Sequence, residues 1–326
     1  MDSLPKFQKY NSIENITRKR FIEQAIIERL HDCTFVVQEK IHGSNFGIYI
    51  TDTNINYASR NQFIPPDDIF YNYKNVIKKY EINLKLLFQK IQISNKKNII
   101  VIVYGELYGG KYLHKDVEQI PNSIVIQKEV QYCPHNDFIA FDIKVDDNYL
   151  SVVESNLLFE ETNIPYCETL FTGTLQECLQ YSNKFESTIY KKHNLPPIEN
   201  NICEGVVIKP LEVKFLAKGN RFILKNKNER FAENNVKSRS KTKELSNRAR
   251  DKLDNLLSYI TQNRLNNVMS KMVDSEKNKW NIMQAMYRDI EEESQKEESN
   301  INFKMLEKYE QKRINNIVYG AISNLL

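Results

Sequence analysis

The chain has 326 residues, with 46 basic against 42 acidic side chains and a formal net charge of +4. A hydrophobic fraction of 41% and an aromatic fraction of 11% exclude intrinsic disorder and suffice for one large core and one smaller one. The small net charge announces no polyanionic partner, so a nucleic-acid partner has to be argued from where the charges sit.

The N-terminal residues lack the apolar core of a signal peptide, and no run approaches the roughly 20 apolar residues of a membrane span. Cys33, Cys133, Cys167, Cys178 and Cys203 are odd in number and nowhere closely paired. They suit reduced thiols better than a disulfide frame or a zinc site. A protein of the cytoplasm or another reducing intracellular compartment is expected, with no membrane contact. His31, His114, His135 and His193 show no ligand spacing.

From residue 33 to about 230 the apolar pattern is mainly that of strands. Residues 34–39, 46–50, 98–104, 138–143, 204–209 and 221–225 are rich in β-branched and aromatic side chains. Between them, Ile69, Phe70, Tyr73, Val76, Ile77 and Tyr80 recur at three- and four-residue steps, which predicts an amphipathic helix over 67–91. Residues 174–192 also read as helical, ended by Pro196 and Pro197. Strands and helices without strict alternation indicate an α+β fold. Beyond a polar, basic stretch at 235–242, three apolar stripes follow at helical spacing. They run from Leu253 to Met272, from Trp280 to Ile290, and from Phe303 to Val318. The expected organisation is a domain at 1–234, a basic linker at 235–242, and a helical domain at 243–326.

The informative stretch is Glu-Lys-Ile-His-Gly-Ser-Asn-Phe, from Glu39 to Phe46. Lys40 ends an apolar strand and Gly43 follows within three residues, so an amine stands at a sheet rim where a ligand can approach the backbone closely. A lysine attacks only as the free amine. If it attacks a nucleoside triphosphate, it needs a carboxylate for the ribose, an aromatic face for the base, an acid for metal, and cations for the phosphates. Candidates for each follow in order: Arg60, Glu106, Phe141 with Asp142, Glu204, and then Lys225 with Lys227. The last two alternate on a strand and so share a face. Read singly, each has an ordinary structural reading: Phe141 as core, His42 as a turn residue, Glu106 as a loop carboxylate, Lys225 and Lys227 as an edge-strand face.

The ordered set resembles the motifs of the covalent-lysine nucleotidyltransferases: DNA ligases, RNA ligases and mRNA capping enzymes. The form around Lys40 is similar to that of the RNA ligase 2 type, known from phage and from kinetoplastid RNA editing. His42 stands where DNA ligases usually carry Asp, and Asn45 follows. The opening Phe-Gln-Lys-Tyr-Asn-Ser-Ile-Glu-Asn and the segment at 260–271 also resemble that family, so the likeness runs almost end to end.

The resemblance implies an α+β nucleotidyltransferase domain, with ATP-grasp-like mixed antiparallel sheets, followed by a small all-α domain. It implies AMP from ATP carried covalently on Lys40, with Mg2+ or Mn2+ at Glu204. Glu39 would meet the adenine edge, His42 and Asn45 would shape the nucleotide and the break, and Arg60 would reach the ribose–phosphate region. Glu106 would bind the ribose 2′-OH and Phe141 would stack on adenine beside Asp142. Lys209, Lys225 and Lys227 would lie along the phosphates.

Arg264 and Asp289 match positions tied to the helical domain, with a plain interhelical salt bridge as the competing reading. The expected activity is ATP-dependent sealing of 3′-OH/5′-phosphate breaks by a monomer, on nicked duplex RNA or RNA–DNA hybrid. A DNA ligase or a capping guanylyltransferase shares the chemistry but usually follows it with an OB-fold. The basic run from Lys237 to Lys252 fits either phosphate contact or a solvated linker-and-helix face.

Overall fold

A computed structural model describes residues 5–93, 99–231, 245–296 and 301–326. The chain forms two compact units, Met1–Asn228 and Glu229–Leu326. The linker expected at 235–242 lies outside the described residues, as do Lys237, Arg239, Lys241 and Lys243 of the basic run.

The first unit is built on two five-stranded sheets. One takes β1 (Glu14–Asn15), β2 (Phe35–Glu39), β8 (Thr169–Gly173), β9 (Gly205–Pro210) and β10 (Leu224–Lys227), in the spatial order β1-β10-β9-β2-β8. Only β1 runs parallel to its neighbour; the other pairings are antiparallel. The other sheet is antiparallel throughout: β3 (Ser44–Ile50), β4 (Ile55–Ala58), β5 (Val101–Gly109), β6 (Asn136–Val145) and β7 (Asn148–Tyr149), in the order β4-β3-β5-β6-β7.

Side-chain alternation gives each sheet two distinct faces. Phe35, Val37, Val206, Ile208 and Leu224 fill a core with Ala25 of α1 (Lys19–Ile27) and with Leu175 and Cys178 of α4 (Leu175–Gln180). Full burial of each such aliphatic or aromatic side chain contributes about 1.5–3 kcal/mol. The opposite face of that sheet carries Gln38, Val207, Lys209, Lys225 and Lys227. In the second sheet, Phe46 and Phe138 pack together with Phe70 and with Tyr73, the first residue of α2 (Tyr73–Ile93). Tyr49, Ile102 and Tyr104 point the other way and share a core with Tyr10, Ile223 and Val207. The two sheets therefore face one another across Tyr10 and Val207. The remaining helix of the unit is α3 (Val152–Glu161), begun by a reciprocal Ser151–Glu154 cap.

Two sequence expectations need correction. Residues 174–192 are not one helix. After six residues α4 stops, and the chain at 185–187 pairs its backbone with 201–203 before a 3-10 turn at Ile189–His193. Long-range backbone pairing overrides the helical periodicity there. The strand expected at 221–225 begins only at Leu224, because Arg221 bridges back to Phe215 and sends its guanidinium to Asp142.

The second unit holds α5 (Asn247–Ser258), α6 (Gln262–Ser270), α7 (Lys279–Ser294) and α8 (Lys308–Leu325). The first apolar stripe is split between α5 and α6, where Thr261 caps the second of them. Leu253, Leu256, Leu265, Val268, Met286, Ile290, Ile314 and Val318 form its core. Lys252, the last member of the basic run, is buried and donates to Ser294 Oγ at 2.6 Å. It therefore serves neither phosphate contact nor a solvated face, whereas Arg248 is exposed. Among the described residues no helix is long and apolar enough to cross a membrane, and all five cysteines are free thiols.

Candidate active site

Lys40 follows the last residue of β2, and its amide donates to the Gly205 carbonyl at 2.9 Å, so its backbone is fixed against β9. Its Nζ reaches Glu204 Oε2 at 2.7 Å. Lys227 Nζ meets Oε1 of the same carboxylate at 2.9 Å, and His42 Nδ1 stands 3.4 Å from Oε2. Glu204 is 1% exposed. Burial alone would raise its pKa, but Lys227, Lys40 and His42 together hold it well below the usual carboxylate range. A buried carboxylate is thus ringed by three nitrogens, with Lys225 two residues away from Lys227 on the same face of β10.

His42 is locked from three sides. Its amide donates to Tyr132 Oη at 2.8 Å, Nε2 meets Glu129 Oε2 at 2.9 Å, and Nδ1 faces Glu204. Burial opposes its protonation, yet the two carboxylates outweigh burial and raise its pKa. The same contact pulls Glu129 down to about 2.

Glu39 turns to Thr188, whose amide and hydroxyl donate to Oε2 at 2.8 and 2.7 Å. Its Oε1 is buried without a hydrogen bond of normal geometry, and burial raises its pKa against the opposing Ser187 and Thr188 groups. A buried acceptor lacking a donor costs about 1–3 kcal/mol, which a ligand N–H would recover.

On the second sheet, Asn45 of β3 and Glu106 of β5 are cross-strand partners and so share one face. Glu106 is half-buried. Gly43 is required just before them: a Cβ there would lie 2.1 Å from the Leu107 carbonyl oxygen and 2.8 Å from Glu106 Cγ. Gly43→Ala is expected to push the start of β3 away from β5 and to cost about 1–3 kcal/mol of stability, read as a lowered melting temperature. An unchanged melting temperature would show that this approach can relax at no cost.

Phe141 and Asp142 owe their placement to a bulge. Ala140 pairs with Gly105 and Asp142 with Tyr104, so Phe141 is the extra residue. Both neighbours thereby reach Tyr10. The Phe141 ring lies edge-on to it at 5.0 Å, and Asp142 accepts from its hydroxyl. Asp142 also accepts from Lys209 Nζ at 2.9 Å and from Arg221 at 2.8 and 3.2 Å. Burial would raise its pKa, but Arg221 and Lys209 hold it far below the usual range. Lys209 itself is wholly engaged in this second cluster, since its Nζ also donates to the Phe141 carbonyl at 2.8 Å. Arg60 is half-buried with its guanidinium 5.9 Å from the Tyr10 ring centroid.

The expected residues therefore fall into separate groups. Lys40, His42, Glu204 and Lys227 meet directly, Glu106 and Asn45 stand opposite one another on the second sheet, and Asp142 and Lys209 form a charge cluster with Arg221. Arg264 and Asp289 belong to the helical unit, where the buried Arg264 guanidinium pairs with Asp289 and lies 5.0 Å from the Tyr259 ring centroid. That is the salt-bridge reading. Sequence reasoning missed Glu129 and Tyr132 behind His42, Thr188 behind Glu39, and Tyr10 and Arg221 around Asp142. Tyr10, Thr188 and Arg221 lay in stretches the sequence had marked, Thr188 in one read as helical; Glu129 and Tyr132 did not.

As an assembly, a lysine amine, a buried carboxylate suited to a hard cation, and further lysines on one face can neutralise and position a polyphosphate.

The RNA ligase family model matches residues 34–227, and the model for the C-terminal region of T4 RNA ligase 2 matches residues 242–324. The mitochondrial RNA-editing ligase 2 of Trypanosoma brucei brucei is 28% identical over 233 residues, covering 62% of this chain and 55% of that protein. RNA-editing ligase 1 from the same organism is 29% identical over 222 residues, covering 56% and 47%. The chain thus spans about half the length of the curated relatives it matches. A solved Naegleria gruberi RNA ligase with AMP and Mn is 20% identical at a TM-score of 0.47, covering 70% of this chain and 58% of that one. With the two family models together spanning most of its length, the chain belongs to the RNA ligase family, of the RNA ligase 2 type.

Proposed function

We propose that the protein is an ATP-dependent RNA ligase that seals 3′-OH/5′-phosphate breaks through an adenylate on Lys40. The observation that carries this reading is the convergence of Lys40, Lys227 and His42 on the buried Glu204 carboxylate, within a chain of the RNA ligase family. Lys40 Nζ attacks the α-phosphate of ATP and pyrophosphate leaves. AMP then passes to a 5′-phosphate of the polynucleotide, and a 3′-OH displaces AMP.

The residues present fit ATP and a divalent ion. Glu39 Oε1, buried and lacking a donor, suits the adenine amine. Phe141 offers a ring to the base, Glu106 an acceptor to the ribose 2′-OH, and Arg60 a cation to the ribose–phosphate region. His42 and Asn45 shape the nucleotide and the break. Lys225 and Lys227 neutralise the phosphates as pyrophosphate departs. Lys209 and Asp142 act at one remove, fixing Phe141 through its carbonyl. Mg2+ or Mn2+ held by Glu204 would supply charge stabilisation to the transferring phosphoryl group. An ion held there would compete with Lys40 for the Glu204 carboxylate.

The substrate we assign is a nick in duplex RNA or RNA–DNA hybrid, bound by a monomer. An A-form duplex is read by shape and 2′-OH contacts, so little sequence preference is expected. The test is incubation with α-labelled ATP or GTP and Mg2+, followed by nicked duplexes with RNA or DNA on each side of the break. Acid-stable label from ATP and sealing of RNA 3′-ends is the expected result. Label from GTP alone would turn the assignment to capping chemistry. Strict preference for DNA 3′-ends would turn it to DNA sealing.

A further inference from the structure

Outside the candidate active site, Cys133, His135 and His193 bring one ligand atom each to within 4.8 Å of one another. The chain supplies them from two places: Cys133 and His135 just before β6, and His193 at the end of the 3-10 turn Ile189–His193. We propose that these three side chains bind one zinc ion, which clips together the two segments that support His42 and Glu39.

The donor set is a thiol and two imidazoles, the soft and borderline ligands that select Zn2+ over Mg2+ or Ca2+. Tetrahedral zinc holds such ligand atoms roughly 3.3–3.8 Å apart, so a contraction of about 1 Å, within reach of side-chain rotation, closes the site. Zn2+ takes the thiolate, the thiol proton leaves to solvent, and water fills the fourth position.

Oxygen partners for the imidazoles already stand in place. His135 Nε2 meets the buried Asp137 carboxylate at 3.2 Å, and His193 Nε2 meets Tyr108 Oη at 2.9 Å. A metal-bound imidazole is ordinarily oriented through its second ring nitrogen in this way. The backbone beneath is rigid as well. Gly110 and Lys111 amides donate to the His135 and Cys133 carbonyls, and Gly109 leaves room for the thiol, since a Cβ there would lie 2.7 Å from Cys133 Sγ.

The position of the clip gives it a consequence. The segment ending at His135 carries Glu129 and Tyr132, which hold His42. The segment ending at His193 carries Thr188, which holds Glu39. One ion would tie both supports together beside Lys40.

The test loads the metal-free full chain with Zn2+ or Co2+. One tightly held equivalent of zinc is expected, with a thiolate-to-cobalt charge-transfer band, the intense visible bands of tetrahedral cobalt, and a higher melting temperature. Cys133→Ser and, separately, His193→Gln are expected to weaken zinc binding at least about a hundredfold. Cys133→Ser abolishes the charge-transfer band, and Cys33→Ser retains it. Wild-type protein that takes up no stoichiometric zinc and shows no thiolate band overturns the proposal. So does a folded Cys133→Ser variant that binds cobalt with an unchanged spectrum, or a His193→Gln variant of undiminished affinity. None of these readouts depends on ligase activity, so their failure leaves the adenylylation mechanism standing.

Discussion

Lys40→Ala is expected to abolish acid-stable labelling by α-labelled ATP, a loss of at least about a thousandfold against the intact chain. The fold should survive the change. Glu204 retains Lys227 and His42 when Lys40 is removed, and Lys40 is itself partly exposed, with 17% of its side chain accessible. A modest stability cost of about 1–2 kcal/mol is therefore expected, far too small to account for lost labelling. Lys40→Arg sharpens the result. It keeps a cation beside Glu204, yet a guanidinium does not give up its proton in a protein, so it offers no lone pair to phosphorus. Labelling should be absent there too. If Lys40→Ala labels as the wild type does, the nucleophile is elsewhere. If Lys40→Arg labels, the position supplies only charge.

The second large effect is on stability. Asp142→Asn leaves Lys209 and Arg221 buried at 2% and 3% exposure without their counter-charge. Removing one partner of such a buried cluster costs about 3–5 kcal/mol. In a unit of this size the melting temperature should fall on the order of 10 °C.

The pH dependence follows from the depressed pKa of Asp142. A carboxyl whose folded pKa lies below its unfolded value contributes fully above the unfolded value, near 3.9, and that contribution is lost as pH falls toward the folded one. Wild type and Asp142→Asn should therefore differ by a constant amount between about pH 5 and 8 and converge on acidification below about pH 4. Calorimetry across that range checks both. A difference under about 1 kcal/mol at neutral pH would mean that the cluster contributes little to the fold.

Part of the site was legible because Lys40, Glu204 and Lys227 stand at strand ends in a fixed order. Lys225 and Lys227, two apart, share a face by alternation alone, and Lys227 reaches Glu204. Gly43 was marked as a place where a ligand could approach the backbone; the close neighbour there is Leu107 of β5.

What escaped the sequence was non-local or irregular. Glu129 meets His42 across 87 residues, with no local pattern to signal it. Alternation would send Phe141 and Asp142 to opposite faces, but the bulge brings both to Tyr10. Residues 174–192 have helical spacing, yet the backbone at 185–187 finds its partners at 201–203 instead. Lys252 reads as one more surface cation until α7 covers it with Ser294.

The surplus residue in β6 also limits how this scaffold can be edited. Between Gly105 and Tyr104 of β5, which are adjacent, β6 spends three positions, from Ala140 to Asp142. Deleting a single residue there would turn the irregular stretch into an ordinary ladder, in which Ala140 and the next side chain alternate. One of the two groups now gathered at Tyr10 would then be lost from that face. Exchanging this strand with one from a related ligase should accordingly succeed or fail by residue count before residue identity. A graft one position short could keep the familiar residue types and still present the wrong ones to Tyr10.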